Sequence, residues 1–499
     1  MAAPWSRAQD DELTLWHRSS RLLLLLPLLA FAGERGTLRI ACFDFPRSFN
    51  PVYATNETSQ AIANKVYQSL FFFDRRGEVR PELVESFSWD EDRLEITLQL
   101  KRGTRFADGS PLGSRDVVAT VGLLKDPRYD YPYLSDLDFL RKIEATGPLT
   151  LRLTLKGRFA PWKNYLTFKI LHTADVEGLT ADEFRRRVPQ GSGPYRLDVV
   201  HEPWVFELRR NPHWPRPLSY DRIRYTVLGE SRQAPLKLMN AEVDAVEISA
   251  DDARSYGRVR AWRERFRLLA YKKFGYTYLV FNVRNPRIDE RLRRVVYNKL
   301  LTTRFLDDFL QGMGERVFSS FLLLSSALPP RPLVVEPLTE KRRLRILANG
   351  ESVVRKQLVL FLCEEMKDCQ IELHPEFVEY QMFLQRLKKG DFDLAVSAFL
   401  LDMDWNMKDV LSSAGYFNYA GYSSPEMDAV LEAGLREMDE AKRRGIYRRA
   451  HELWREDLPL IPLFSLNYYM GLARSITPPR ERFELIGSCG DFFYHLQGW

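Results

Sequence analysis

The residue types that carry most enzyme chemistry are present in this 499-residue sequence, but they are not spaced for it. No G-x-S-x-G nucleophile elbow, H-E-x-x-H zinc pair or G-x-x-x-x-G-K-[ST] phosphate loop occurs. The seven histidines are scattered, with no pair at the helical spacing that holds a metal. Gly191-Ser192-Gly193 has the glycines of a phosphate cradle. Pro194-Tyr195 and a β-prone run follow it, however, where a phosphate loop would open a helix. The expectation is a protein that is not an enzyme and needs neither metal nor cofactor. The four cysteines, Cys42, Cys363, Cys369 and Cys489, match no zinc spacing. Cys363 and Cys369 are close enough to pair across a helix–strand turn, and a Cys42–Cys489 bond would clip the chain ends together. Four cysteines allow three pairings, and buried free thiols are the alternative. The 10 Trp and 22 Tyr serve either a large mixed core or the walls of a ligand cleft.

The elements that must position such a cleft alternate along the chain. Residues 37–43 and 94–100 read as alternating strands, with a helical spacing of Ile62, Val66, Tyr67 and Leu70 between them. Ser114 is placed to cap a helix to about Leu124, with Asp116 in its first turn. Strands are expected at 149–155, 195–210, 222–227, 243–248 and 276–283, the last apolar on both faces. A helix follows over 291–309, then a Pro-rich loop over 312–340. From 344 to 398 the pattern is β-α-β-α-β, which predicts an α/β unit. Ser424-Pro425 opens the last helical stretch, with proline where a first turn tolerates it.

Length suggests about three domains. Hydrophobic residues at 45% and charged residues at 28% are those of a globular protein. A net charge of +6 is too diluted for nucleic-acid binding. Arg18 and Arg21 precede an apolar run over 22–32 that ends in Ala30-Phe31-Ala32. The run is shorter than the ~20 residues of a membrane span, so it reads as a secretory signal, or as an anchor if uncleaved. Asp10, Asp11 and Glu12 are unusual in such a leader.

Ordered motifs carry a resemblance. Asn50-Pro51 is followed by Ala61 through Leu70. Gly77 leads to Pro81-Glu82-Leu83-Val84-Glu85-Ser86-Phe87, and Leu100 to Phe106-Ala107-Asp108-Gly109-Ser110-Pro111-Leu112. Then come Gly191-Ser192-Gly193-Pro194-Tyr195, Asn211-Pro212-His213-Trp214, Leu238 through Ala245, Tyr419 through Asp428, and Asp457-Leu458-Pro459 through Phe464. Together, over about 37 to 470, they resemble the family 5 extracellular solute-binding proteins of ABC transporters, the oligopeptide- and dipeptide-binding type.

The resemblance implies an α/β, two-lobed fold of the class II periplasmic-binding-protein kind, with an extra domain inserted in the first lobe. The implied division is signal at 1–32, lobe 1 at 33–79 and 191–271, inserted domain at 80–190, lobe 2 at 272–475, and a return to lobe 1 at 476–499. It implies a periplasmic or extracytoplasmic monomer that captures a peptide or similar small solute by hinge closure and delivers it to ABC permease subunits. Membrane contact comes only through the permease or an uncleaved leader. A membrane-tethered sensor using the same cleft is the alternative, and a nickel chelate, sugar or opine is an alternative ligand. In peptide-binding members an acid three residues after an aromatic pairs with the ligand's α-amino group. That pattern falls on Phe399 and Asp402, with Asp404 as a neighbouring candidate, because a buried ammonium is costly unless paired. Trp405 and Tyr416 either wall the cleft or belong to the core. The sequence departs from the family in having Phe399 for a usual Trp and Trp405-Asn406 for an Asp-Pro pair.

Overall fold

The computed structural model describes residues 36–478, other than 75–76, 202–203, 303–304, 328 and 402, together with 492–493. The leader, Asp402 and Cys489 lie outside the described residues. Among the described residues no helix is long and apolar enough to cross a membrane.

A 12-stranded mixed sheet organises the chain. Its first half holds Thr37–Cys42, flanked by parallel Arg222–Val227 and Ala245–Ile248, with Val205–Arg210 and Tyr195–His201 continuing to the edge. Its second half holds Gly275–Phe281, Leu394–Leu400, Arg342–Asn349 and Ile371–Val378. Gly275–Phe281 is buried at every position, as its two-faced apolar pattern requires.

The halves are joined by strands. Leu460–Ala473 pairs with Gly275–Phe281 through Leu460–Phe464, and with Phe266–Lys272 through Asn467–Ala473. The second crossing runs from Phe266–Lys272 straight into Gly275–Phe281. Lys273, between them, forms an ion pair with Glu57 at 2.5 Å and lies 4.5 Å from the Tyr468 ring centroid. The expected loop over 312–340 contributes to this junction: Gly314–Arg316 pairs with Phe464–Leu466.

A separate four-stranded antiparallel sheet lies between Val84 and Leu155, in the order Val84–Asp90, Glu95–Leu100, Thr150–Leu155, Leu140–Gly147. Helix Ser114–Lys125 covers it, burying Val117, Val121 and Leu124. The cap expected at Ser114 is made differently. Gly113 is the cap residue, and Asp116 reaches back to accept its N–H at 2.8 Å. The other Asp116 oxygen holds Thr173 by its N–H and hydroxyl. The 191–193 turn stitches this unit to the large sheet. Gly193 N–H donates to Val66 O at 2.8 Å, and Gly191 O accepts from Ala107 N–H. A Cβ on Gly191 would sit 1.9 Å from Val66 O, so only glycine permits this approach.

Of the two alternatives for the cysteines, free thiols hold for Cys42, Cys363 and Cys369. Helix Val353–Glu365 runs on into a 3-10 turn, Met366–Cys369, instead of turning back. Six residues of continuous helix separate Cα atoms by roughly 9 Å, beyond the ~7 Å reach of a disulfide. Burial pushes the Cys42 thiol up to about 12, so it stays protonated.

The second half has its own large core, in which Trp454 is fully buried and donates to Leu460 O at 3.0 Å. His451 is buried beside it, with Nδ1 3.0 Å from Ser319 Oγ. Burial pushes His451 down to about 4, and Arg455 adds to the effect. Between about pH 4 and 6.5 the unfolded chain therefore binds a proton that the folded chain refuses. Stability should fall as the pH drops through this window, by up to about 3 kcal/mol. His451→Gln should flatten that part of a stability-against-pH profile from urea unfolding; an unchanged slope would place the acid sensitivity elsewhere.

Candidate ligand-binding site

The second half of the sheet contains a topological switch point. Arg342–Asn349 lies between two parallel neighbours, Ile371–Val378 on one side and Leu394–Leu400 on the other. The chain leaves Asn349 for helix Val353–Glu365, and leaves Val378 for helix Tyr380–Lys389. Connections that diverge to opposite sides leave a crevice at the carboxyl ends of the strands. Ser352 Oγ and the Glu379 carboxylate cap the two helices at this rim.

Aromatic side chains collect there. Phe399, half-buried at the end of its strand, lies 4.5 Å from Tyr278 and 4.9 Å from Tyr276, ring centroid to centroid. Tyr276 donates its hydroxyl to Ser320 O at 3.2 Å. Tyr416 is 67% exposed and meets Phe417 edge-on at 4.8 Å, and Phe417 in turn meets Tyr419. Lys388 Nζ donates to Tyr416 Oη at 3.4 Å. Burial raises the Tyr419 phenol above its ordinary range, with Tyr416 and Tyr380 adding to the shift, so Tyr419 acts as a neutral hydroxyl.

The segment after the strand is tied down on both sides. Met403 O accepts from Asn164 Nδ2, in the 3-10 turn Ala160–Leu166 that follows the four-stranded sheet, at 3.0 Å. Asp404 takes a two-pronged salt bridge from Arg443, at 2.7 and 2.6 Å, with both side chains about nine-tenths buried. Burial opposes the Arg443 charge, and the hydrogen bonds to Asp404 outweigh it, so the guanidinium ends above its usual range. Arg443 also donates to Gly434 O and lies 5.5 Å from the Trp405 ring. Trp405 is half-buried and turned toward helix Glu440–Asp457, 6.2 Å from Tyr447.

Of the residues singled out from sequence, Phe399 stands at the rim, Tyr416 is exposed beside Lys388 in the last turn of helix Tyr380–Lys389, Trp405 packs on a helix, and Asp404 is engaged by its own chain. Sequence reasoning missed Tyr380, Tyr419 and Arg355, which stand at the same rim. The available signal was a charged residue in the first turn of a helix that follows a strand, with no acid three or four residues further on to pair with it. Among the described residues no group of three or more His, Cys, Asp and Glu is placed to hold a metal.

Residues 78–319 match the model of the bacterial extracellular solute-binding proteins, family 5 Middle. The chain carries a family 5 solute-binding domain. This solute-binding chain is 22% identical over 484 residues to the oligopeptide-binding protein AppA of Bacillus subtilis (strain 168), covering 89% of the chain and 88% of that relative. It is 22% identical over 486 residues to the glutathione-binding protein GsiB of Escherichia coli (strain K12), covering 90% and 93%. Its fold matches the crystal structure of the ABC transporter substrate-binding protein CtaP of Listeria monocytogenes with a TM-score of 0.77. That match is at 20% identity and covers 88% and 94% of the two chains. The fold is therefore the two-lobed, mixed α/β type expected from the motifs.

Proposed function

We propose that this solute-binding chain is an exported receptor that captures a peptide or similar small solute and passes it to the permease subunits of an ABC importer, without chemical conversion. The observation that carries the reading is the aromatic-rimmed crevice at the switch point, set beside two strand crossings. Phe266–Lys272 into Gly275–Phe281 is one crossing, and Leu460–Ala473 is the other. Two strands shared by two halves make a hinge, and a ligand that touches both halves favours the closed form. In this reading the lobes divide near residue 272, and the return falls inside Leu460–Ala473 instead of after 475. The unit between Val84 and Leu155 is the inserted domain. The names of the relatives, one for oligopeptides and one for glutathione, favour peptidic ligands. The receptor acts as an extracytoplasmic monomer, with cleavage before Gly33.

Thermal unfolding against a panel of di- to nonapeptides tests the reading. A ligand at 100 times its Kd stabilises the native state by about 2.7 kcal/mol, which appears as a clear rise in melting temperature. A panel that produces no rise rejects peptide capture.

A further inference from the structure

The two halves meet away from the hinge as well as through it. The turn Ala160–Leu166 is fastened to the first half. Ser69 donates its hydroxyl to Thr167 O at 2.8 Å, and Ile170 N–H donates to Gln68 O at 2.9 Å. Trp162, buried in the turn, meets Phe71 and Phe87 edge-on at 5.5 and 5.4 Å. The residues this turn touches belong to the second half. Asn164 Nδ2 donates to Met403 O, just past Leu394–Leu400 and so at the rim of the crevice. Helix Pro425–Arg436 lies against the same turn. Met438, shortly after that helix, packs on the apolar core beneath the four-stranded sheet. Lys163 Nζ lies 4.3 Å from the Phe87 ring centroid. Burial lowers its ammonium below the usual range, and the carboxylate of Glu440, at the start of helix Glu440–Asp457, opposes that effect.

The seat of this contact is rigid. Asp404, next to Met403, is clamped by Arg443, which also holds Gly434 O near the end of Pro425–Arg436. A two-pronged pair of this kind fixes geometry as well as charge. The contact itself stands apart from the hinge. The chain crosses between the halves at Lys273 and within Leu460–Ala473, whereas Asn164 and Met403 are 239 residues apart. Rotation about the crossings keeps neighbours such as Lys273 and Glu57 together and separates groups that meet across the rim. One hydrogen bond, one partly buried methionine and one facing charge make a contact weak enough to form and break.

We infer that the turn Ala160–Leu166 is a clasp that docks on Met403 and Met438 when the lobes close, so that Asn164 and Met438 are positioning residues setting how long a captured solute stays. The clasp touches protein and not solute, so its effect is the same for every ligand. The inference rests on the proposed capture of peptides by hinge closure and gives the inserted unit a part in it.

The test uses the exported chain, Asn164→Ala, Met438→Ala and the double variant, with association and dissociation rates measured for a tripeptide and a nonapeptide. Each single variant should speed dissociation about 2–10-fold, the scale of one net hydrogen bond, with association nearly unchanged. The factor should be the same for both peptides, because losing the clasp lowers the population of the closed form and alters no ligand contact. Met438→Leu, which keeps the side-chain volume, should retain the wild-type rates. Unequal factors for the two peptides would overturn the clasp, since the turn would then touch the ligand. Unchanged rates with a lower urea midpoint would overturn it too, making the turn a fixed brace, and both results leave peptide capture intact. If the wild type binds neither peptide, peptide capture fails, and small-angle scattering of the ligand-free chain decides the clasp. The double variant should then show a larger radius of gyration than the wild type, and equal radii would overturn the clasp.

Discussion

Asp404→Ala should cost the fold about 3–5 kcal/mol, the penalty for leaving a buried charge without its partner. Arg443 is the charge left behind. Its guanidinium is 10% exposed, enclosed by Trp405, Tyr447 and the Gly434 carbonyl, and Asp404 is the carboxylate that meets it. Urea unfolding should show a lower midpoint with an unchanged slope, since the surface exposed on unfolding stays the same. Replacing both partners, with Asp404→Leu and Arg443→Met together, should recover most of the loss, because no charge then remains buried. The measurement also separates two roles for Asp404. If it anchors the segment after Leu394–Leu400, stability falls while the folded variant keeps its ligand affinity within a few-fold. If it pairs instead with an ammonium on the ligand, affinity falls steeply and the urea midpoint hardly moves.

This pair shows where the sequence was legible and where it was not. The strands around Leu38, Ile96 and Tyr278, and the helix capped by Ser424, follow from local periodicity and local capping, and those rules read directly from neighbouring residues. The motif order carried the fold further, because Gly191, Gly193 and Asn211 are fixed by contacts that only this topology makes: Asn211 Nδ2 donates to Gly193 O, and Gly193 lies against Val66. Asp404 looked like a ligand carboxylate because its partner stands 39 residues away on another helix, a separation no local pattern encodes. The choice between paired and free cysteines turned on one local detail, the 3-10 turn that carries the helix on to Cys369 and leaves both thiols free.

Gly275→Ala should weaken both the fold and the site, and it does so through backbone. Gly275 opens the strand that follows the first crossing and pairs with Leu400 at the end of Leu394–Leu400. A Cβ there would stand 2.2 Å from Phe399 O and 3.0 Å from Leu400 Cα. Neither atom can rotate away as the tip of a long side chain could, so the two strand ends must separate. Overpacking of this kind costs about 1–3 kcal/mol. The displaced residues are Phe399, which packs on Tyr276 and Tyr278, and Leu401, whose N–H donates to Phe274 O at 2.8 Å. The strain is therefore delivered to the rim of the crevice and to the hinge together. Peptide affinity should fall about tenfold or more, the effect of roughly 1.4 kcal/mol or above on binding. Gly122→Ala is the matched control. It lies in helix Ser114–Lys125 with nothing within 4 Å of the added methyl, so alanine should be neutral or stabilise by up to about 1 kcal/mol and leave binding unchanged. If Gly275→Ala unfolded at the wild-type urea concentration and bound peptide as well as Gly122→Ala does, the crossing would tolerate a wider gap than its backbone contacts indicate, and the coupling of hinge to rim would have to be abandoned.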